Sequence, residues 1–326
     1  MIGEGAFAKV YEVDENKVRK VFHRARRRDR IVRKEVRALV ALSTGSGEGE
    51  KHFVYLIDHD KTSITMQRAD GRDLFDYIAD TDYPRRVAHV SSFRHVVFEI
   101  AKQLFTALDY MHTKLEDCCV IHYDIKPENV RVSTDTVWNK RRNPTLHDLY
   151  TQRFTIKILD FGAASVLYRK PGYTDQLQRL GNTIEYQSPE GLLALPITPA
   201  SDVWSVGCTL FTTLTGELLF DVRPEHVSSS EPDVAQDARA VSLMERTLGP
   251  ITLRKNRRRD LFRKDDELHA RLIPRGLARR QTLRQRLKSN CDTGLTDEAH
   301  KVISACLAYE PKQRPSAIGA IELFSL

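Results

Sequence analysis

The run Asp124-Ile125-Lys126-Pro127-Glu128-Asn129, followed thirty-one positions beyond its asparagine by Asp160-Phe161-Gly162, constrains this chain more than any other feature. Asp-x-Lys-Pro-x-Asn and Asp-Phe-Gly in that order are improbable by chance, and a fold that uses both must bring their polar side chains to one place. The chain is long enough to do so. Its 326 residues, 41% hydrophobic and 29% charged, suffice for one large domain or two modest lobes with a core. With 16 Gly and 13 Pro it is neither a disordered tail nor a collagen-like repeat. No apolar run approaches the roughly 18 residues of a membrane span, and MIGEGAFAKV lacks the basic and apolar segments of a secretory leader. A soluble, unsecreted protein is expected. Cys118, Cys119, Cys208, Cys291 and Cys306 show no metal-ligand spacing, which points to free thiols in a reducing compartment.

Periodicity divides the chain. AKVYEV and KVRKVF alternate on either side of Asp14-Glu15-Asn16-Lys17 and predict a hairpin. Ile31 to Leu42 reads as a helix, TGSGEGE at 44–50 as a flexible loop that ends it, and FVYLID and SITMQ as two further strands. From about 71 the pattern turns helical, with Val97, Ile100, Leu104, Leu108 and Met111 at three- and four-residue steps within 93–112. No internal repeat is found.

The first residues, Gly3-Glu4-Gly5-Ala6-Phe7-Ala8-Lys9-Val10, lead straight into a strand. A glycine-rich turn lets backbone N–H groups approach phosphate oxygens that a Cβ would obstruct. Ala8 stands where the usual GxGxxG has its third glycine, and an ordinary hairpin turn accounts for the segment as well. Alternation places Lys20 on the same strand face as Val18 and Phe22. An inward lysine is costly unless paired, so it should meet a phosphate and a carboxylate, for which Glu35 is the candidate. The bland alternative is two solvated surface charges.

The residues around Val120–Val130 and Ile158–Gly162 strongly resemble the eukaryotic protein kinases, and the resemblance covers essentially the whole chain. It implies an α+β, bilobal fold: an antiparallel-sheet N-lobe with one main helix over 1–66, a hinge at 67–70, and a larger, mainly helical C-lobe over 71–326 with insertions at about 132–153 and 221–290. ATP and Mg²⁺ are the implied cofactors. Under this resemblance Asp124 orients the attacking hydroxyl and accepts its proton, Lys126 steadies the transferring phosphoryl group, and Asn129 and Asp160 hold the metal. Hard Mg²⁺ suits one amide and one carboxylate oxygen. Gly3, Gly5, Val10, Val18 and Lys20 would bind the nucleotide from the small lobe. Met66 would be the gatekeeper, Gln67 and Ala69 the hinge backbone for adenine, and Asp73 a ribose partner. Thr183 in GNTIEYQSPE matches the threonine beside the catalytic aspartate of serine/threonine kinases, and with Lys126 it argues against a dedicated tyrosine kinase. Ser188-Pro189-Glu190 stands where kinases carry Ala-Pro-Glu, and Arg314 resembles the distant arginine that pairs with that glutamate. Asp202 in SDVWSVG resembles the helix-borne aspartate that braces the catalytic loop.

Three features point to the LAMMER, or CDC2-like, group of the CMGC class. Leu243-Met244-Glu245-Arg246-Thr247-Leu248-Gly249-Pro250 looks like a degenerate form of the group's motif with its Leu-Gly-Pro. The stretch between Asn129 and Asp160 is long, as in that group, where it carries an extra hairpin. Lys20 and Glu35 stand fifteen apart, again as in that group. The resemblance then implies serine/threonine phosphorylation with dual specificity, Arg/Ser-rich protein substrates, a monomer, and a nuclear or cytoplasmic location. A serine/threonine kinase of another subgroup and a pseudokinase scaffold stay open as alternatives.

Several positions depart from the family pattern. Tyr123 replaces the arginine that usually reads an activation-loop phosphate, which suggests activity without such phosphorylation. Gln187 replaces an arginine that CMGC kinases place beside the substrate pocket. Arg131 stands where an apolar side chain usually lies under the adenine; either its stem covers the ring while the guanidinium reaches water, or nucleotide affinity suffers. The chain also opens inside the glycine loop, without most of the preceding strand, which should weaken ATP binding. All of the +7 net charge sits in 221–290, where 17 Lys and Arg face 10 Asp and Glu. Its runs at 254–259 and 275–288 suit an acidic partner, nuclear import or a solvated helix face. They lack the interleaved aromatics that single-stranded nucleic acid requires, so nucleic acid is not expected as a partner.

Overall fold

A computed structural model of the chain describes residues 1–5, 7–23, 28–79, 90–134, 146–169, 183–222, 233–251, 281–290 and 293–324. The alternating N-terminal segments form an antiparallel sheet of β1 (Gly3–Glu4), β2 (Ala8–Glu12), β3 (Lys17–Phe22), β4 (Leu56–His59) and β5 (Ser63–Gln67) in the order β1-β2-β3-β5-β4. The expected hairpin is β2–β3, whose turn is fixed by the Asn16 N–H donating to the Asp14 carboxylate at 2.8 Å. Residues directly paired across antiparallel strands share a face. Val10 lies opposite Lys20 and Val18 opposite Met66, so Val10, Val18, Lys20 and Met66 stand together on one side of the sheet.

Helix α1 (Arg28–Leu42) buries Val32, Glu35, Ala38, Leu39 and Leu42. That spacing of three and four residues makes one face, and it carries a carboxylate into the core. The glycine-rich segment after α1 is not a loose loop. Its second half winds into a 3₁₀ turn at Glu48–His52, and a Cβ on Gly49 would stand 2.4 Å from Tyr110 Cβ. The glycine serves close packing, not freedom.

Beyond β6 (Arg72–Asp73) and α2 (Leu74–Ile78) the chain is mostly helical. α3 (Val90–Asp109) runs into a π-helical turn, Tyr110–Lys114, and the five apolar residues that define its stripe are all buried. Short strands lie between the sheet and the helices. β7 (Cys118–Ile121) pairs with β10 (Ser165–Tyr168), while β8 (Val130–Thr134) pairs with β6 and with β9 (Phe154–Ile158). The stretch 132–153 includes helix α4 (Leu146–Thr151), and the extra hairpin that the resemblance implied for this insertion involves 135–145, which lie outside the described residues. So do 252–280, which hold the run at 254–259 and part of that at 275–288.

After α5 (Pro189–Leu192), helix α6 (Pro199–Thr215) is buried along almost its whole length. Proline at its first position and Gly216 in the left-handed region (φ 73°) just past its end bound it as helix physics requires. It is followed by α7 (Asp233–Leu248), on which Leu243–Leu248 of the degenerate motif lie, then α8 (Leu283–Asn290), α9 (Thr293–Cys306) and α10 (Ala317–Glu322). The described cysteines, Cys118, Cys119, Cys208 and Cys306, are free thiols. No helix among the described residues is long and apolar enough to cross a membrane.

The Glu190–Arg314 pair staples the C-lobe. The guanidinium donates to both carboxylate oxygens at 2.7 and 2.8 Å and to the carbonyls of Ala308, Ala200 and Tyr309. Ser201 Oγ adds a 2.7 Å bond to Glu190, and Trp204 stacks under the guanidinium at 5.1 Å. Both side chains are fully buried, so removing one partner strands a charge. Arg314→Met is expected to lower unfolding free energy by roughly 3–5 kcal/mol in urea titrations, far above the cost of an exposed pair such as Arg68–Glu12.

Candidate functional site

One ammonium joins the two halves of the cleft. Lys20 Nζ donates to Glu35 Oε1 and Oε2 at 2.9 Å each and to Asp160 Oδ1 at 2.8 Å, so its three hydrogens meet three carboxylate oxygens. Strand β3, helix α1 and the loop after β9 thereby converge on one point. Burial opposes the Lys20 charge, yet Asp160 and Glu35 outweigh it and hold the ammonium protonated well above its usual range. Two carboxylates sharing one cation cannot be equally comfortable. Burial pushes the Glu35 carboxyl up to about 7 against the pull of Lys20. Burial opposes ionisation of Asp160 as well, but Lys20 and the Gly162 N–H bring it down to about 2.

Strand register places the next pair. Val130 at the start of β8 pairs with Ile158 at the end of β9, and the Leu159 N–H donates to the Asn129 carbonyl at 2.9 Å. Asn129 and Asp160 therefore flank one ladder, side by side despite their separation in sequence. The Asn129 amide nitrogen donates to the Asp124 carbonyl at 2.8 Å and approaches Asp124 Oδ2 at 3.2 Å, so its amide oxygen takes no part in those contacts and is an acceptor. Asp160 sits in the left-handed region at φ 64°, a strained conformation that turns its carboxylate back onto Lys20 and the Gly162 N–H.

The loop that bears Asp124 is held from below by α6. Asp202, on α6 and wholly buried, accepts from the backbone N–H groups of His122 and Tyr123 at 2.9 and 2.8 Å, and His112 Nε2 contacts its second lone pair at 3.0 Å. His122 Nδ1 accepts the Asp124 N–H at 3.2 Å, so the ring's Nε2 is left to donate to the Leu159 carbonyl at 3.0 Å. This imidazole ties the loop bearing Asp124 to the segment bearing Asp160. Asp124 Oδ1 accepts the Thr183 N–H at 3.0 Å, while Lys126 Nζ reaches Thr183 Oγ1 at 2.5 Å and Asp124 Oδ2 at 3.4 Å.

The protein kinase domain family matches residues 1–323. The chain belongs to that family. Among curated relatives, the dual specificity protein kinase CLK1 of Homo sapiens is 28% identical over 281 residues, covering 81% of this chain and 51% of that protein. The serine/threonine-protein kinase AFC3 of Arabidopsis thaliana is 28% identical over 274 residues, covering 77% and 60%. The serine/threonine-protein kinase chk-1 of Caenorhabditis briggsae is 31% identical over 233 residues, covering 68% and 40%. The chain spans about half the length of CLK1. A solved kinase domain superposes with a TM-score of 0.64 at 18% identity, covering 99% of this chain and 93% of that one, which shows the shared fold.

In this kinase domain the expected site residues fall into three groups. Lys20, Glu35 and Asp160 form one polar network and Asp124, Lys126, Asn129 and Thr183 a second, bridged by the His122 ring, which takes the Asp124 N–H and meets the Leu159 carbonyl. Val10, Val18 and Met66 share the Lys20 face of the sheet, Gly3 pairs with Val10, and the Gly5 N–H donates to the Ala8 carbonyl at 2.9 Å; Ala6 lies outside the described residues. Gln67 ends β5 with its N–H on the Tyr55 carbonyl, and Ala69 packs on the main core just beyond. Asp73 pairs in register with Arg131. The Arg131 side chain is partly exposed and its guanidinium is engaged by β6. Its Nε lies 3.1 Å from Asp73 Oδ1 and its Nη1 donates to the Gly71 carbonyl at 3.0 Å, so it turns back along β6. His112 was not anticipated, because a histidine near the end of an apolar helix carries no local signal of a distant aspartate.

Glu35 gives a pH dependence with a defined sign. Its folded value of about 7 lies above the ordinary carboxylate value of 4.5, so between those limits the folded chain holds a proton that the unfolded chain releases. The stability this group contributes is complete below pH 4.5 and lost as pH rises through about 7. In thermal melts of ligand-free protein from pH 5 to 8, Glu35→Gln is expected to show a flatter decline, or a steeper rise, than the wild type.

Proposed function

We propose that this chain is an ATP- and Mg²⁺-dependent protein serine/threonine kinase of the LAMMER type. The observation that carries it is the pair of networks Lys20–Asp160 and Asn129–Asp124–Thr183–Lys126, brought side by side because Asn129 and Asp160 flank the same end of the β8–β9 ladder. Asn129 Oδ1 and the Asp160 carboxylate would hold Mg²⁺. Two protein oxygens suffice, since Mg²⁺ keeps waters and takes phosphate oxygens; among the described residues no cluster of three or more acidic, His or Cys side chains forms a closed cage. When bound, the metal supplies charge neutralisation over the phosphate oxygens.

The chain's own residues do the rest. Asp124, oriented by the Thr183 N–H and the Asn129 amide, takes the proton of a serine or threonine hydroxyl as its oxygen bonds to the γ-phosphorus of ATP and the bond from that phosphorus to the bridging oxygen breaks, releasing ADP. Lys126, between Asp124 and Thr183, places positive charge beside the transferring group. Lys20, held by Glu35, would turn to the nucleotide phosphates the hydrogen it now donates to Asp160. Val10, Val18 and Met66 give the adenine an apolar roof and Asp73 a ribose acceptor. Arg131 engages that same carboxylate, so the ribose must share it.

The relatives named dual specificity protein kinases support the subgroup; Arg/Ser-rich substrates and a nuclear or cytoplasmic site of action for a monomer are proposed with it. Gln187 and GNTIEY favour the second reading, a serine/threonine kinase of another subgroup, which the similarity to chk-1 also suits.

Radiolabelled phosphate transfer to Arg/Ser-rich and generic peptides separates these readings. Asp124→Asn is expected to lower kcat by roughly 10²–10⁴-fold with little change in the KM for ATP. Preference for Arg/Ser-rich peptides would support the LAMMER assignment; indifference would favour the second reading.

A further inference from the structure

Tyr123 and Gln187 each break the pattern that the rest of the chain follows, and the structure brings them together. Gln187 Nε2 donates to Tyr123 Oη at 2.7 Å in a buried bond between residues sixty-four positions apart. The tyrosine ring packs with Ile121, Ile197 and Leu167 in a small apolar cluster separate from the main core. Its backbone stands at φ 65°, a region that costs a residue with a Cβ on the order of 1–2 kcal/mol. Such strain persists where the surroundings over-determine it, and here Asp202 holds the Tyr123 N–H at 2.8 Å. Space has been made for the hydroxyl as well: a Cβ on Gly191 would lie 2.3 Å from Tyr123 Oη and 3.0 Å from Gln187 Nε2.

The segment 183–191 is thereby pinned at three points. Thr183 rests on Asp124 and Lys126, Gln187 on Tyr123, and Glu190 on Arg314 and Ser201. Each anchor is neutral or carries its own counter-charge. We propose that the Tyr123–Gln187 bond is a positioning latch, setting Thr183 against the reacting aspartate without any phosphate on the chain. Tyr123 acts through its neighbours: its backbone adjoins Asp124 and its hydroxyl sets the span whose first residue orients that carboxylate. This rests on the phosphotransferase reading for its effect on rate, but the restraint on 183–191 is independent of it.

The test uses the full chain as wild type, Tyr123→Phe and Gln187→Met, with phosphatase-treated wild type alongside. Steady-state kinetics with Mg²⁺-ATP and a serine peptide are combined with hydrogen exchange of the 183–191 amides. Both variants keep the apolar volume and remove the bond. The expected result is a kcat about tenfold lower in each, a KM for ATP within about twofold of wild type, and faster exchange over 183–191 with the α6 amides unchanged. Phosphatase treatment should leave the wild-type rate unaltered. The proposal is overturned if an active wild type loses its rate on dephosphorylation, if both variants retain full kcat, or if exchange over 183–191 does not change. An inactive wild type would count against the kinase reading alone, and the exchange data would then decide the latch.

Discussion

The Lys20 ammonium is the point on which the arrangement depends. It lies on a strand of the N-terminal sheet, yet its three donors are taken by a helix carboxylate and by the carboxylate that follows β9. Without Lys20, Glu35 would be an uncompensated charge on a face that is otherwise apolar, and α1 would have little reason to dock in this rotation. Without Asp160 the two halves of the cleft would lose their direct ionic link. Position and protonation are set together, since the two carboxylates that compete for one cation are driven apart, one up and one down.

The C-lobe meets this point with a scaffold built to fix backbone as well as side chains. Asp202 takes two consecutive N–H groups of the catalytic loop, and His122 passes the restraint on to Leu159 beside Asp160. Two residues with left-handed backbone, Tyr123 and Asp160, stand on either side of that histidine bridge. Strain of this kind aims groups that relaxed strands could not aim, and the buried network around Asp202 is what sustains it. Glu190 and Arg314 carry the same logic to the far end of the segment that bears Thr183.

Much of this could be read from the sequence because the chemistry admits few alternatives. A carboxylate, a lysine and an amide at fixed offsets, and a lysine forced inward by strand alternation, are local signals, and all of them reach the site. The hairpin, α1, β5 and the stripe of α3 followed from periodicity for the same reason. Long-range pairings carry no such signal. Tyr123 and Gln187 looked like two separate departures, and only the fold shows that they answer one another. For Arg131 the sequence left two readings, a stem over the adenine or weakened nucleotide binding, because nothing local announces its partner Asp73 on β6. Gly45 and Gly49 suggested looseness because composition does not reveal that Tyr110 will occupy the place of their side chains.

The central claim is that a nucleotide's terminal phosphates and a divalent cation are held between Lys20 and the Asn129–Asp160 pair. Calorimetric titration of ATP into wild type and Asp160→Ala, each with and without Mg²⁺, tests it most directly. The account predicts binding to the wild type that strengthens when Mg²⁺ is present, and loss of that metal-dependent gain in Asp160→Ala. Metal-independent binding of equal strength in both proteins, or no nucleotide binding to the wild type, would contradict it.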